Sequence, residues 1–231
     1  MKFATFNTQH CLNYLEQKID FDTMAKVILD LDADVVGLNE MRGAGVHPEY
    51  TAQTEELAAR TGMHYYFAPA IEVKDGGPYG NAILSRIPFR SVERVAIPDP
   101  AVRRCEGYYE TRCVIKAVLE NGVTVLVSHF GLQEDEAENA VSTVLGVASR
   151  EKCVLMGDFN LSPESPLLLP IREAMQDTAD AFDAPRLSWP SDAPTVKIDY
   201  IFASRDARVL SADIPAVVAS DHRPHIAEIE F

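Results

Sequence analysis

Short apolar runs alternate with amphipathic stretches along the whole chain. KFATFN near the start and ADVVGLNE further on read as strands, and each ends on a polar residue, Asn7 and Glu40. Between them Met24, Val27, Ile28 and Leu31 share one helical face, predicting a helix over residues 22 to 32 with Asp22 as its N-cap. A second helix is expected over Thr54 to Thr61, stopped by Gly62. MHYYFAPAI and NAILSRIPF read as strands around the turn-rich KDGGPYG. TRCVIKAVLE and VTVLVSHF flank Asn121-Gly122, a strong hairpin signal. Residues 134 to 148 predict a helix that buries Val141, Val144, Leu145 and Ala148. CVLMGDFN is a further buried strand, and SPLLLPIREAM a short helix opened by Ser165-Pro166. The proline-rich stretch Pro185 to Pro194 is a loop. VKIDYIFAS and the terminal HIAEIEF are strands, the last turning Ala227, Ile229 and Phe231 inward.

Alternating β and α elements with some antiparallel hairpins imply a layered α/β arrangement built on a mixed sheet. No repeat, low-complexity tract or linker interrupts the chain, so a single domain over residues 1–231 is expected.

Composition adds exclusions. At 47% hydrophobic and 24% charged residues the chain is of ordinary globular type. No apolar run approaches the roughly 20 residues that span a bilayer. The opening MKFATFNTQH lacks the apolar stretch of an export signal, so a cytoplasmic location without a membrane partner is expected. The four cysteines show no CxxC spacing, which suits reduced thiols, with Cys113 and Cys153 as core fillers. A net charge of −14 disfavours long nucleic acid as a partner, although a local basic patch would survive it. Excess acid is compatible with divalent-cation binding but far more often means plain solubility, so alone it decides nothing.

The candidate chemistry lies at strand ends, where ligand sites of layered α/β folds gather. Asn7, Glu40, His129, Asp158 and Asn160 each end or follow a strand, and Asp199 sits between Ile198 and Tyr200. Asp221-His222 precedes the last strand. Each has a structural alternative, such as an Asx-turn at Asp158 and Asn160 or a satisfied core histidine at His129. Asp199 has the weakest one, because a buried carboxylate is costly unless paired. One shared site explains them more simply than separate accidents. Carboxylate and amide oxygens suit Mg²⁺ or Mn²⁺, and such a set suits hydrolysis of a phosphate ester by an activated water. Asp199 and His222 are the natural carboxylate–imidazole pair.

At TFN, the strand ending NE, GNAILS, the strand ending SHF, GDFN, IDYIF and SDHRP, the sequence resembles the endonuclease/exonuclease/phosphatase superfamily. The resemblance runs from Asn7 to His222. It implies a DNase I-like four-layer sandwich, two mixed β-sheets packed face to face and flanked by helices. It implies Glu40 as the principal metal ligand with Asn7 beside it, and Asp221 as a further metal-associated carboxylate. Asp158 would orient or deprotonate the attacking water, and Asn160 would bind the scissile phosphate. His222, oriented by Asp199, would be the general base or stabilise the transition state. His129 would touch the phosphate or assist the leaving group, as in the deoxyribonuclease and sphingomyelinase branch. Arg112 and Asn81 are expected at the substrate. Gln9 stands where apurinic-site enzymes carry an Asp, which speaks against repair activity. The expected activity is a Mg²⁺- or Mn²⁺-dependent phosphoesterase acting on an ester of small or moderate size. The alternative is a DNA or RNA nuclease, which a basic rim of Arg86, Arg90, Arg103, Arg104 and Arg112 would support. A non-catalytic binding domain is a third reading. Specificity would reside in loops 42–53, 72–80, 97–110 and 185–196, where Tyr108, Tyr109 and Trp189 either stack on a base or anchor their loops.

Overall fold

Most central strands of this chain bury both faces, and the layering follows from that. In the computed structural model, which describes residues 1–231, the chain begins β1 (Lys2–Asn7), β2 (Leu12–Asn13), β3 (Lys18–Ile19), α1 (Phe21–Asp30), β4 (Val35–Arg42), α2 (Gln53–Thr61) and β5 (His64–Glu72). It continues β6 (Pro78–Ser85), β7 (Phe89–Ala96), β8 (Cys113–Leu119), β9 (Thr124–His129), α3 (Glu134–Val147) and β10 (Cys153–Asp158). It closes with α4 (Leu169–Ala174), β11 (Met175–Asp177), β12 (Asp199–Ser204), β13 (Arg208–Asp213) and β14 (His225–Glu230).

Two six-stranded sheets form, in the orders β13-β14-β1-β4-β6-β5 and β11-β12-β10-β9-β8-β7. Each is antiparallel except for one central parallel pair, β1 with β4 and β9 with β10. The sheets face each other across Phe3, Val35, Ile83, Ile115, Val127 and Met156. The intervening residues of the same strands point outward. Phe6, Val36 and Leu38 meet Met24 and Ile28 of α1 and Leu57 of α2. On the far side Leu126, Leu155 and Phe202 meet Val144 of α3 and Ile171 of α4. A strand covered on both faces needs apolar side chains at every position, which is why VVGL and CVLM show no alternation. The result is the expected four-layer sandwich of two mixed sheets between helices. No helix is long and apolar enough to cross a membrane.

Several local expectations shift. The cap of α1 is Asp20, whose Oδ1 accepts from Thr23 N at 2.9 Å. Asp22 lies inside the first turn and pairs with Arg60 of α2 at 2.7 Å. NAILSRIPF is not one strand but the junction between sheets. Ser85 Oγ donates to Ile87 O and accepts from Ile87 N, closing a turn before Pro88, and the chain then enters the second sheet as β7. The Asn121-Gly122 hairpin forms between β8 and β9, with Gly122 at φ 88°. Strands β7 and β13 escaped the sequence pattern because they are polar edge strands with little buried surface.

At Gly157 β10 passes β9 with no room for a side chain. A Cβ there would lie 1.7 Å from Ser128 O, and φ is 149°. Gly157→Ala should therefore cost about 3 kcal/mol or more in denaturant unfolding, because backbone cannot yield as a side-chain tip can. A loss below about 1 kcal/mol would contradict the close approach.

Candidate active site

The polar residues meet because of register. In the first sheet Asn7 stands opposite Asn39. In the second, Asp158 stands between His129 and Asp199. These positions are the carboxyl ends of both parallel pairs, so one edge of the sandwich collects groups from each sheet.

Three buried carboxamides hold that edge together. Asn7 Nδ2 donates to Asp158 Oδ2 at 3.0 Å, crossing from β1 to β10. Asn39 Nδ2 donates to Ser128 O at 3.1 Å, and its Oδ1 accepts from Asp158 N at 3.0 Å. Asn81 Nδ2 donates to Cys113 O at 3.0 Å, and its Oδ1 accepts from Asn39 at 2.8 Å. The expectation that Asn81 touches substrate is corrected here. It is buried behind the site with its amide fully engaged. Asn39 was missed, because an Asn before a Glu at a strand end carries no distinguishing signal.

Glu40 sits at a bulge where β4 slips against β6 between Leu38 and Met41. Its φ of 62° turns it out of the strand, a conformation that costs roughly 1 kcal/mol or more for a non-glycine residue. Asn7 Nδ2 also donates to Glu40 Oε1 at 3.0 Å. Asn7 Oδ1 accepts from Gln9 N at 3.1 Å, so this side chain, expected beside the metal, bridges Glu40 and Asp158 instead of offering them an oxygen. Burial and the facing charge of Asp221 push the Glu40 carboxyl above its ordinary range, against the Asn7 bond.

Asp158 lies between two imidazoles. Its Oδ2 is 3.5 Å from His129 Nε2 and 3.6 Å from His222 Nε2, and its Oδ1 accepts from Asn160 N at 2.9 Å. Burial raises its carboxyl well above the ordinary range, and Asp199 adds to that.

The two histidines differ in charge because their partners differ. Arg112 faces His129 Nδ1 at 3.1 Å and is itself held by Glu110 at 2.6 Å. A guanidinium only donates, so Nδ1 accepts and the proton sits on Nε2. Burial, with the charges of Arg112 and His222, keeps His129 neutral. His222 Nδ1 donates to Asp199 Oδ2 at 2.9 Å. Burial alone would lower His222, but Asp199 and Asp158 overcome it and raise it to about 10, so it rests as an imidazolium. One side-chain nitrogen or oxygen from each of Asp158, Asp199 and His222 lies within 4.8 Å of the others, and a hydrogen bond joins His222 to Asp199.

Asn160, at φ 52°, places Nδ2 3.1 Å from His129 Nε2 while donating to Phe130 O at 3.1 Å. Two donors thus stand side by side with no acceptor between them. An anionic oxygen would bridge them.

These groups line a cavity of about 530 Å³. Asn7 and Asp199 lie behind its wall, whereas Glu40, Arg112, His129, Asp158, Asn160, Asp221 and His222 reach it. Tyr79, Glu110 and Leu132 also line it and were not anticipated. Trp189 and Tyr108 line it as well, whereas Tyr109 is an anchor, its hydroxyl 2.9 Å from Asp135 and accepting from Cys105 N at 3.0 Å. For a divalent cation the donor chemistry fits. Glu40 and Asp221 are hard oxygen donors whose mutual repulsion no neighbouring Lys or Arg in the cavity wall except Arg112 offsets.

Comparison with known proteins agrees with this geometry. The model of the Endonuclease/Exonuclease/phosphatase family matches residues 4–222, and the chain belongs to that family. No curated protein matches it. An endonuclease/exonuclease/phosphatase from Bacteroides vulgatus superposes with a TM-score of 0.78 at 19% identity, covering 99% of this chain and 98% of that one. The mannosyl-6-phosphatase of Bacteroides thetaiotaomicron VPI-5482 superposes with 0.78 at 15% identity over 100% of both chains. ANGEL2, a 2',3'-cyclic phosphatase in complex with adenosine-2',3'-vanadate, superposes with 0.74 at 17% identity over 99% and 94%. At such identities the likeness establishes the shared fold.

Removing the central carboxamide tests how the edge is held. Asn39→Ala should cost about 2–3 kcal/mol in denaturant unfolding, since it leaves Asp158 N, Ser128 O and Asn81 Oδ1 without partners. Stability within about 0.5 kcal/mol of the parent would mean that water replaces all three bonds.

Proposed function

We propose that this member of the endonuclease/exonuclease/phosphatase family is a divalent-metal-dependent phosphoesterase. It hydrolyses a phosphodiester or phosphomonoester of small or moderate size by in-line attack of water. The observation that carries the reading is the adjacency of a buried base, Asp158, to paired donors on His129 and Asn160 and to the His222 imidazolium.

The roles follow from protonation. The phosphoryl group seats an oxygen between His129 Nε2–H and the second hydrogen of Asn160 Nδ2, which have no acceptor between them. Asp158 orients the attacking water and takes its proton. A carboxyl raised by burial is a stronger base than a free one and suits that task near neutral pH. The charged His222, held by Asp199, stabilises the negative charge that gathers on the phosphoryl oxygens in the transition state. Arg112 fixes the tautomer of His129 and adds positive charge beside the phosphate. Glu40 and Asp221 would hold a Mg²⁺ or Mn²⁺ ion, which when bound polarises a phosphoryl oxygen and neutralises charge on the leaving oxygen. Two structural relatives are described as phosphatases, one of a mannosyl 6-phosphate and one of a 2',3'-cyclic phosphate, which supports ester hydrolysis over pure binding.

The nuclease alternative needs a basic rim, and the arginines do not form one. Arg86 pairs with Asp32 at 2.8 Å, Arg90 donates to Glu120 O at 2.7 Å, and Arg104 pairs with Glu138. Arg103 lies 4.6 Å over the Tyr109 ring, and only Arg112 lines the cavity. With a net charge of −14, a long polyanion meets repulsion with little local relief.

The direct test is one panel of phosphomonoester, phosphodiester, single-stranded and duplex DNA, and RNA, each with Mg²⁺, Mn²⁺ or EDTA. Turnover of small esters that EDTA abolishes is expected; turnover that persists in EDTA would overturn metal dependence. Asp158→Asn should lower kcat by about a thousandfold with the unfolding transition nearly intact, and near-parental kcat would remove Asp158 from its role. Glu40→Gln should raise the metal concentration for half-maximal activity by about tenfold or more, whereas an unshifted titration would assign the ion to other carboxylates.

A further inference from the structure

The cavity has two chemically different walls. One carries the phosphate chemistry. The other is apolar and comes from both flanks of β10, Trp189, Val196 and Ile198 before β12 and Tyr108 and Leu132 beside β8 and β9. We propose that the organic group of the substrate is a flat aromatic ring seated against Trp189, so that the enzyme takes ring-bearing phosphate esters in preference to sugar or alkyl phosphates. This rests on the phosphoesterase reading and names its substrate class.

The first argument is the way Trp189 is held. Its N–H donates to Val196 O at 3.0 Å and its carbonyl accepts from Val196 N at 3.1 Å, closing a narrow bridge. The preceding Ser188 Oγ accepts from Ile198 N at 3.1 Å and Asp199 N at 3.3 Å. The backbone of Trp189 is therefore tied to the segment that leads into the strand carrying Asp199. Yet Trp189 is 40% exposed. An aromatic that merely packs its loop down is buried, or engaged as Tyr109 is. An indole on a pinned backbone, with a free surface inside a cavity, is a platform on which a flat ring can stack.

The second argument is what the apolar wall lacks. A sugar presents several hydroxyls, and each loses water unless a protein group replaces it. Glu110 is committed to Arg112 and Tyr108, and Glu40 and Asp221, each with one oxygen engaged, face the ion they would hold. Glu110 holds Arg112 at 2.6 Å and accepts from the Tyr108 hydroxyl at 3.0 Å. Glu40 accepts from Asn7 at 3.0 Å, and Asp221 Oδ1 accepts from Ser220 Oγ at 3.0 Å. A flat ring asks for none of these bonds and gains from the surface that Leu132, Val196 and Ile198 provide.

The third argument is size and charge. About 530 Å³ accommodates one phosphate with one ring system, within the usual range for small ligands. Arg112 is the only Lys or Arg on the cavity wall, and it stands beside the phosphate already placed there.

Trp189 is the single tryptophan of the chain, so its emission reports directly on this wall. The Asp158→Asn protein with Mg²⁺ would be titrated with phenyl phosphate, adenosine monophosphate, glycerol phosphate and inorganic phosphate. Saturable quenching by either ring-bearing compound, absent with the two ring-free ones, is expected, and which ring responds identifies an aryl or a nucleobase source. In the active enzyme, Trp189→Ala should lower the ratio of kcat/KM for ring-bearing over ring-free esters about tenfold, chiefly through KM, with Trp189→Phe restoring most of it. Equal response to all four compounds, or a ratio unmoved by Trp189→Ala, overturns the proposal. The two readings fail separately. Ring-selective quenching without hydrolysis of any ester would retain the platform and remove the phosphoesterase. Hydrolysis of phenyl and glycerol phosphate with equal efficiency would do the reverse.

Discussion

Three buried carboxamides set the geometry on which everything else depends. Asn7, Asn39 and Asn81 stand on the adjacent strands β1, β4 and β6 of one sheet and bond to β10, β9 and β8 of the other. Elsewhere the two sheets meet through apolar side chains, and such a surface tolerates sliding, since dispersion and hydrophobic burial have no direction. A buried amide is different. It is costly unless its partners lie at hydrogen-bond distance, so it permits one alignment and penalises its neighbours. The carboxylates and imidazoles that do chemistry come from both sheets. Their spacing is therefore only as exact as the inter-sheet alignment, and these three residues fix that alignment at the edge where it matters.

Once aligned, the site uses one residue type in two states. His129 and His222 both face the same Asp158 oxygen at about equal range. A guanidinium behind His129 makes it a neutral donor, while a carboxylate behind His222 makes it a cation. Asp158, lifted by burial, becomes a base between a neutral and a charged donor. The arrangement separates tasks that a single solvent-exposed histidine could not, and it requires no unusual side chain, only opposite partners one layer back.

Much of this was legible in the sequence, for definable reasons. Strands buried on both faces produce dense apolar runs, so KFATFN, VVGLNE and CVLMGD stood out, and Asn7, Glu40 and Asp158 were informative as polar groups closing largely apolar runs. GDFN, IDYIF and SDHRP likewise marked the residues that the structure gathers. What was hidden depends on pairing across long sequence distances. Asn39 and Asn81 have meaning only through Ser128 and Cys113, 89 and 32 positions away. Glu110 matters only because Arg112 leans on it. The edge strands β7 and β13 bury too little to leave a period, and the N-cap of α1 was displaced by two residues because Asp20 and Asp22 are equally good caps in isolation.

The separation between chemistry and recognition then becomes a structural statement. The polar wall is built from strand ends held by the carboxamides. The apolar lining comes from the segments carrying Tyr108, Leu132, Trp189 and Val196, which lie outside the main strands. Recognition can therefore vary without disturbing the inter-sheet bonds, with one exception. Ser188, beside the Trp189 platform, bonds the backbone of Asp199, and Asp199 holds the charged His222. A change that moves this loop moves the orienting carboxylate as well. Substitutions around Trp189 that only alter its exposed ring should act on ring selectivity alone, whereas those that disturb the Ser188 bonds should reach the transition state through His222. The side chain proposed to set ring selectivity, Trp189, and the side chain that bonds the Asp199 backbone, Ser188, are adjacent in the chain, and the hydrogen bonds of Ser188 divide their effects.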